Sequence, residues 1–331
     1  MPEPLAARLR ERIRSGGPLP FVEFCRAALY DPADGYYRRQ RHRVGARRGT
    51  DFVTNLAARS VFAPLVVEAV RSLAAGADLS TYRFVEVGAE PGEALLDGHD
   101  HPFGGVSVVR IGEELSEPRG PTVLFANEWL DARPFVRLRF SGDRWEESFA
   151  ALDGTGEGFR EVFGEPESDD ARGLLPGLPS RAPEGYRLDL SIEAERCLDG
   201  FLAGKWPGVF LAFDYGSSWE ALSRHLPEGT GRAQAAHRQS ADLFADPGER
   251  DLTCNVCWDR IAAVLADRGF VVGGPERQEA FFLRKAADTV RWIVEGGQDE
   301  EARERRARLT QILSPAHFGA AFQALWGIRR T

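Results

Sequence analysis

The sequence predicts an α/β protein built on a mostly parallel sheet with helices on both faces. Three observations carry this. Apolar runs of strand length, at Tyr82–Val87, Val106–Ile111, Thr122–Ala126 and Gly208–Tyr215, alternate with segments of helical period. Two of the runs, TVLFA and GVFLAFDY, are nearly uninterrupted, as in strands buried on both faces. Polar residues crowd just beyond the run ends, where open α/β sheets hold ligands.

Taken in order, Leu5, Leu9 and Ile13 recur at helical spacing, so residues 4–14 read as a helix, followed by Phe21–Tyr30. A turn at Asp31–Gly35 leads through Tyr36 and Tyr37 to a basic stretch, Arg38 to Arg48, read as a solvated loop. Ser60–Leu73 is an amphipathic helix. The strand Tyr82–Val87 runs into Gly88-Ala89-Glu90-Pro91-Gly92 and a short helical stretch. Phe135–Phe140 and Arg144–Phe149 flank Ser141-Gly142-Asp143, a hairpin pattern. Gly, Pro and acidic residues make 153–185 a loop, and Ser191 N-caps a helix reaching Leu202. A helix at Trp258–Arg268 stops at Gly269 before a strand at Phe270–Val272. Helices near 287–296 and 299–313 precede a last strand, Phe322–Ile328. The organisation expected is an N-terminal helical segment over 1–80 and a sheet-based core over 81–331. Insertions near 140–205 and 225–320 supply an added helical portion.

Composition narrows the function. A hydrophobic share of 43% and a charged share of 28% belong to an ordinary globular chain, so disorder is not expected. Lys+Arg 42 against Asp+Glu 50 gives a net charge of -8, which offers no general reason for nucleic-acid binding. No run of eighteen apolar residues occurs, so no membrane helix is expected. The first residues lack the apolar core and cleavage site of a secretory signal, and Glu3 and Glu11 argue against organelle import, so the cytoplasm is the expected location. Cys254 and Cys257 form a CxxC without a second pair of zinc ligands or the strand-then-helix setting of a redox motif; they read as buried thiols.

Three strand ends carry groups that do chemistry. After Glu86 and Val87, the turn Gly88 to Gly92 brings backbone N–H groups towards a ligand, although any tight strand–helix turn looks the same. Asn127, Glu128 and Asp131 follow the run Thr122–Ala126, and Asp214 and Tyr215 end the run Gly208–Tyr215. Each carboxylate equally suits the cap of a following turn.

The ordered blocks PLPFVEF, ALYDP, GYY, DFVT, ANE with Asp131, Ala132 and Pro134, DYG, GT with Arg232 and His237, DPG, DLT and LSP span nearly the whole chain. In these the sequence resembles the MidA family, whose mitochondrial members are arginine methyltransferases needed for respiratory complex I assembly. The resemblance implies a class I methyltransferase Rossmann-like fold, S-adenosylmethionine as cofactor and a protein arginine as acceptor, with a small-molecule acceptor as the alternative. It implies Glu86, Gly88 and Gly92 at the cofactor loop, and Asp51 and Thr54 closing over it. Asn127, Glu128 and Asp131 would lie between cofactor and substrate, with Tyr215, Arg232 and His237 on the substrate side.

The departures cluster at the cofactor. Glu90 stands at the middle glycine of the loop, and Asn55-Leu56-Ala57-Ala58 replaces Ala-Pro-Glu-Ile after DFVT. Only one strand, Val106–Ile111, fits between Gly92 and Asn127. A second core strand with its ribose-binding acid therefore reads as deleted or reduced, with Glu113 or Glu114 the substitutes on offer. Two functions follow: an active methyltransferase, or a relative that keeps the fold as a binding or assembly protein without the cofactor. A dinucleotide dehydrogenase fits poorly, since the G-x-G-x-x-G spacing and a downstream acid are both missing.

Overall fold

A computed structural model describes residues 3–39, 55–89, 94–111, 113, 118–235, 238–315 and 318–330. The strands of the two larger sheets include β1 (Arg83–Ala89), β2 (Gly105–Arg110), β3 (Thr122–Asn127), β4 (Val136–Ser141), β5 (Arg144–Leu152), β6 (Phe159–Gly164), β7 (Arg187–Leu190), β8 (Gly208–Asp214), β9 (Val271–Arg277) and β10 (Gln323–Arg329). The chain divides into two units. One comprises His42–Trp129, Cys197–Gly216 and Ile261–Thr331; the other comprises Met1–Arg41, Leu130–Arg196 and Ser217–Arg260.

The first unit holds a six-stranded sheet in the order β9-β10-β8-β3-β1-β2. The four strands β8, β3, β1 and β2 run parallel, and β10 pairs antiparallel with both β8 and β9. Period-2 alternation sends Phe84, Phe125, Leu211 and Phe213 to one face. There they meet helix Arg59–Leu73 and the helices Gln278–Lys285, Ala287–Glu295 and Glu300–Leu313 through Phe62, Phe282, Ile293 and Ile312. The alternate residues Leu124, Phe210 and Leu325 are buried as well, which explains the unbroken apolar runs. On that second face Leu265 and Phe270 close over Gly327.

The crossovers beside β1 differ from expectation. Past the loop, Leu95–Gly98 is a turn rather than a helical stretch, and no helix lies among the described residues of 94–104 or 118–121. Gly98, Pro102, Gly104 and Gly105 leave no uninterrupted helical turn there. Leu95, Leu96 and Phe103 enter the core in place of a helix.

The second unit is antiparallel. β5 pairs with β4 on one edge and β6 on the other, and β4 pairs with β7. Helices Leu5–Gly16 and Phe21–Tyr30 belong here, and Leu5, Leu9 and Ile13 are buried as their spacing predicts. The insertion near 140–205 is mainly sheet, and the expected hairpin is present as β4 and β5. The stretch 153–185 is not a loop: it contains β6 and helix Asp169–Leu174, capped by Ser168 Oγ accepting from the Ala171 N–H at 3.1 Å. The helices expected near 287–296 and 299–313 are present as Ala287–Glu295 and Glu300–Leu313, with Gln278–Lys285 before them. Asp189 on β7 accepts the N–H groups of Thr230 and Gly231, both at 2.7 Å, so the GT block is held by a buried carboxylate. Arg137 pairs with that Asp189 at 3.4 Å and with Glu161 at 3.0 Å. Cys254 and Cys257 are buried free thiols, and burial pushes Cys257 up to about 11 and Cys254 well above the ordinary thiol range. No helix among the described residues is long and apolar enough to cross a membrane.

Candidate active site

From β1 the chain passes to β2 on one side, while β3 lies on the other, so the order of the sheet reverses between β1 and β3. Ligands of open α/β sheets bind outside the carboxyl ends of the strands at such a point. What stands there is Gly88 on β1 and Asn127-Glu128 at the end of β3.

β1 bulges at Gly88. Val87 faces Val109, the next paired residue is Ala89 against Arg110, and Gly88 has φ of 81°. A Cβ at Gly88 would lie 2.5 Å from Trp129 Cδ1. The space of the missing side chain is thus taken by the buried Trp129 indole, which packs on Phe201 with ring centroids 5.4 Å apart. Glu86, two residues earlier, turns its carboxylate to the segment after the loop: Oε2 accepts the Leu95 N–H at 2.7 Å. Burial raises this carboxyl to about 7, against the lowering effect of that hydrogen bond. Gly92, Asp51 and Thr54 lie outside the described residues.

At the end of β3, Asn127 Nδ2 donates to Glu128 Oε1 at 2.9 Å. Glu128 has φ of 50°, a left-handed backbone rare for a side chain of this size, and its N–H donates to Phe213 O at 2.9 Å. Such a conformation costs about 1–3 kcal/mol and persists where the surroundings over-determine it. Asn127 Oδ1 accepts in turn from Asn55 Nδ2 at 3.0 Å, and Asn55 is fully buried against Gln278. Neither Asn55 nor Gln278 was singled out as functional from the sequence. The signal available was Asn55's departure from the family pattern; Gln278 gave none.

Of the remaining expected residues, Tyr215 lies with its ring 4.2 Å from that of Phe322, and its N–H donates to the buried Asp214 carboxylate at 2.8 Å. Asp131 and Arg232 belong to the antiparallel unit, where they pair at 3.7 Å and Arg232 also donates to Asn255 at 2.9 Å. The structure thus joins Asn127 to Glu128, and Asp131 to Arg232. His237 lies outside the described residues. The strand beside β1 is present as β2, and three residues past its end Glu113 accepts the Arg110 N–H at 2.9 Å. An acid therefore does follow the second parallel strand, but within the described residues no strand lies beyond β2.

Residues 80–276 match the model of a family of S-adenosyl-L-methionine-dependent methyltransferases. The chain belongs to that family. Among its relatives, the mitochondrial protein arginine methyltransferase NDUFAF7 homolog of Drosophila melanogaster is 26% identical over 97% of this chain and 84% of its own length. The Caenorhabditis elegans homolog is 23% identical over 97% of this chain and 85% of its own. A Burkholderia thailandensis protein crystallised with S-adenosyl-homocysteine superposes with a TM-score of 0.84 at 25% identity, covering 99% of this chain and 95% of that one. These findings support the MidA resemblance and S-adenosylmethionine as cofactor. They overturn the cytoplasmic expectation, because the relatives are named as mitochondrial proteins. Charge in the first residues is a poor guide, since an address is read by receptors and not by the fold.

Proposed function

We propose that this methyltransferase modifies the side chain of a protein arginine, with Glu128 as the group that receives the guanidinium. The observation that carries the reading is the strained Glu128 at the end of β3, its carboxylate held by Asn127. A packing role gives no reason to hold a half-buried carboxylate in a left-handed backbone at the switch point. The fly and nematode relatives are named protein arginine methyltransferases, which supports the acceptor.

The residues present suit the cofactor. Gly88 gives the strand end its bulge and Glu113 offers an acid past β2 for hydroxyl groups. When bound, S-adenosylmethionine supplies an electrophilic methyl group. The protein's task is to align a guanidinium nitrogen and to manage its proton. A guanidinium is charged at neutral pH and a weak nucleophile. A carboxylate bonded to it draws the positive charge to the bound side and takes up the proton as the nitrogen loses it. Glu128 has that role here, and Asn127 fixes its orientation. On the family pattern Gly92 belongs to the cofactor loop, Asp51 and Thr54 close over it, and Tyr215 and His237 belong to the substrate side.

The test is calorimetric titration with S-adenosylmethionine, followed by turnover of Glu128→Gln on an arginine-containing peptide. Glu128→Gln should bind cofactor as the parent does and lose about 10²- to 10⁴-fold in kcat. A fully active Glu128→Gln would refute the role. No heat at high micromolar cofactor would refute the enzyme and leave a binding or assembly protein.

A further inference from the structure

Glu128 stands at one end of a continuous amide relay. Gln278 Nε2 donates to Ile312 O at 3.1 Å and to Asn55 Oδ1 at 3.0 Å. Asn55 Nδ2 returns a bond to Gln278 Oε1 at 2.9 Å and donates its other proton to Asn127 Oδ1 at 3.0 Å. Asn127 Nδ2 then donates to Glu128 Oε1 at 2.9 Å. Asn55 and Gln278 are both 0% exposed.

The order of donors is forced. A backbone carbonyl only accepts, so Ile312 O turns the Gln278 NH2 towards itself. The reciprocal pair then leaves Asn55 one orientation, since a flipped amide would set donor against donor and acceptor against acceptor. Asn127 must offer Asn55 its oxygen, which leaves its NH2 for Glu128. We infer that Asn55 and Gln278 are positioning residues for this transferase: they transmit the polarity of the Ile312 carbonyl through Asn127 and fix which atom Glu128 is offered. Gln278 lies on helix Gln278–Lys285 and Ile312 on helix Glu300–Leu313, so that helical layer sets the orientation of the acceptor-binding carboxylate. The inference rests on the reading of Glu128 given above.

Asn55→Asp keeps the shape and reverses the polarity, because a carboxylate accepts on both oxygens and forces Asn127 to present its NH2 to it. The Asn127 carbonyl then faces Glu128. Gln278→Met, neutral and of similar length, removes the anchor at the other end. Side-chain amide signals of Asn127, assigned by Asn127→Asp, are followed by 15N NMR in the full chain without substrate. They should move in Glu128→Gln, in Asn55→Asp and in Gln278→Met, with far-ultraviolet circular dichroism showing each variant folded. In turnover, Asn55→Asp should lose about 10- to 100-fold in kcat while KM for S-adenosylmethionine stays within about two-fold. In a Glu128→Gln background the same change should add nothing, since a relay that acts only through Glu128 has nothing left to orient. Asn127 signals that coincide in the parent and in folded Asn55→Asp or Gln278→Met would overturn the relay, whatever becomes of Glu128. A fully active Glu128→Gln with displaced Asn127 signals would instead overturn the catalytic assignment and leave the relay standing.

Discussion

Gly88→Ala separates two reasons for a glycine at the end of β1. The family resemblance implies it at the cofactor loop; the structure gives the space beside its α-carbon to Trp129. An alanine there meets Trp129 Cδ1 at 2.5 Å, Cβ at 2.8 Å and Cγ at 2.9 Å. A φ of 81° adds a left-handed penalty of about 1–2 kcal/mol. The indole is buried and backed by Phe201, so it yields only by disturbing its own contacts, an overpacking cost of about 1–3 kcal/mol. The sum is about 2–5 kcal/mol, present without any ligand. Urea unfolding followed by circular dichroism should show the midpoint falling by about 1 M, with slopes near 3 kcal/mol per molar. Adding Trp129→Leu should recover the clash and leave the backbone part, about 1–2 kcal/mol relative to Trp129→Leu alone. A Gly88→Ala chain within about 0.5 kcal/mol of the parent would refute the packing argument.

Glu86 makes stability depend on pH, because its folded carboxyl sits at about 7 against an ordinary 4.5. The folded state therefore holds a proton that the unfolded chain releases, and stability is lost as pH rises through about 7. Glu86→Gln should match the parent at pH 4 and exceed it by about 3 kcal/mol at pH 8, measured by urea unfolding at both. Arg329 donates to the carbonyls of Trp206, Gly204 and Arg268. Arg329→Met should cost about 1–3 kcal/mol by removing the donor to part-buried carbonyls that follow two helices, a loss read from the thermal midpoint. Cys25, Cys254 and Cys257 are buried with raised thiols, whereas Cys197 is half-buried. A brief iodoacetamide pulse at pH 8 should label at most Cys197 by mass spectrometry, with the others reacting only on unfolding.

The core strands were legible because burial on both faces leaves an unmistakable apolar run. Ser191 was legible because an N-cap is a local signal, and its Oγ does accept the Ala194 N–H at 3.1 Å. β6 was not, since Phe159-Arg-Glu-Val-Phe is a short partly exposed strand set among glycines and acids. Helix Gln278–Lys285 was missed where Phe281 and Phe282 mimic a buried run. Asn127 and Glu128 could be found by their place past a strand, but nothing local showed that Asn55 reaches them from 72 residues away. Long-range polar pairing leaves no period in a sequence. Asn55 stood out only as a departure from Ala, and the structure makes that departure the means by which the acid is oriented.

The same contrast bears on how much the site has lost. Between Gly92 and Asn127 the chain is short for the usual crossovers, and among the described residues of this stretch there is no helix and no strand beyond β2. Leu95, Leu96 and Phe103 take over the apolar cover. Glu86 anchors their turn through Leu95, so a carboxylate that the family pattern gives to the cofactor loop also holds the abbreviated segment in place. The short segment leaves β1, β3 and the reversal between them intact. Cofactor affinity and the alignment of Glu128 are therefore separable in this fold. Changes at Glu113 should act on the former, and changes at Asn55 on the latter.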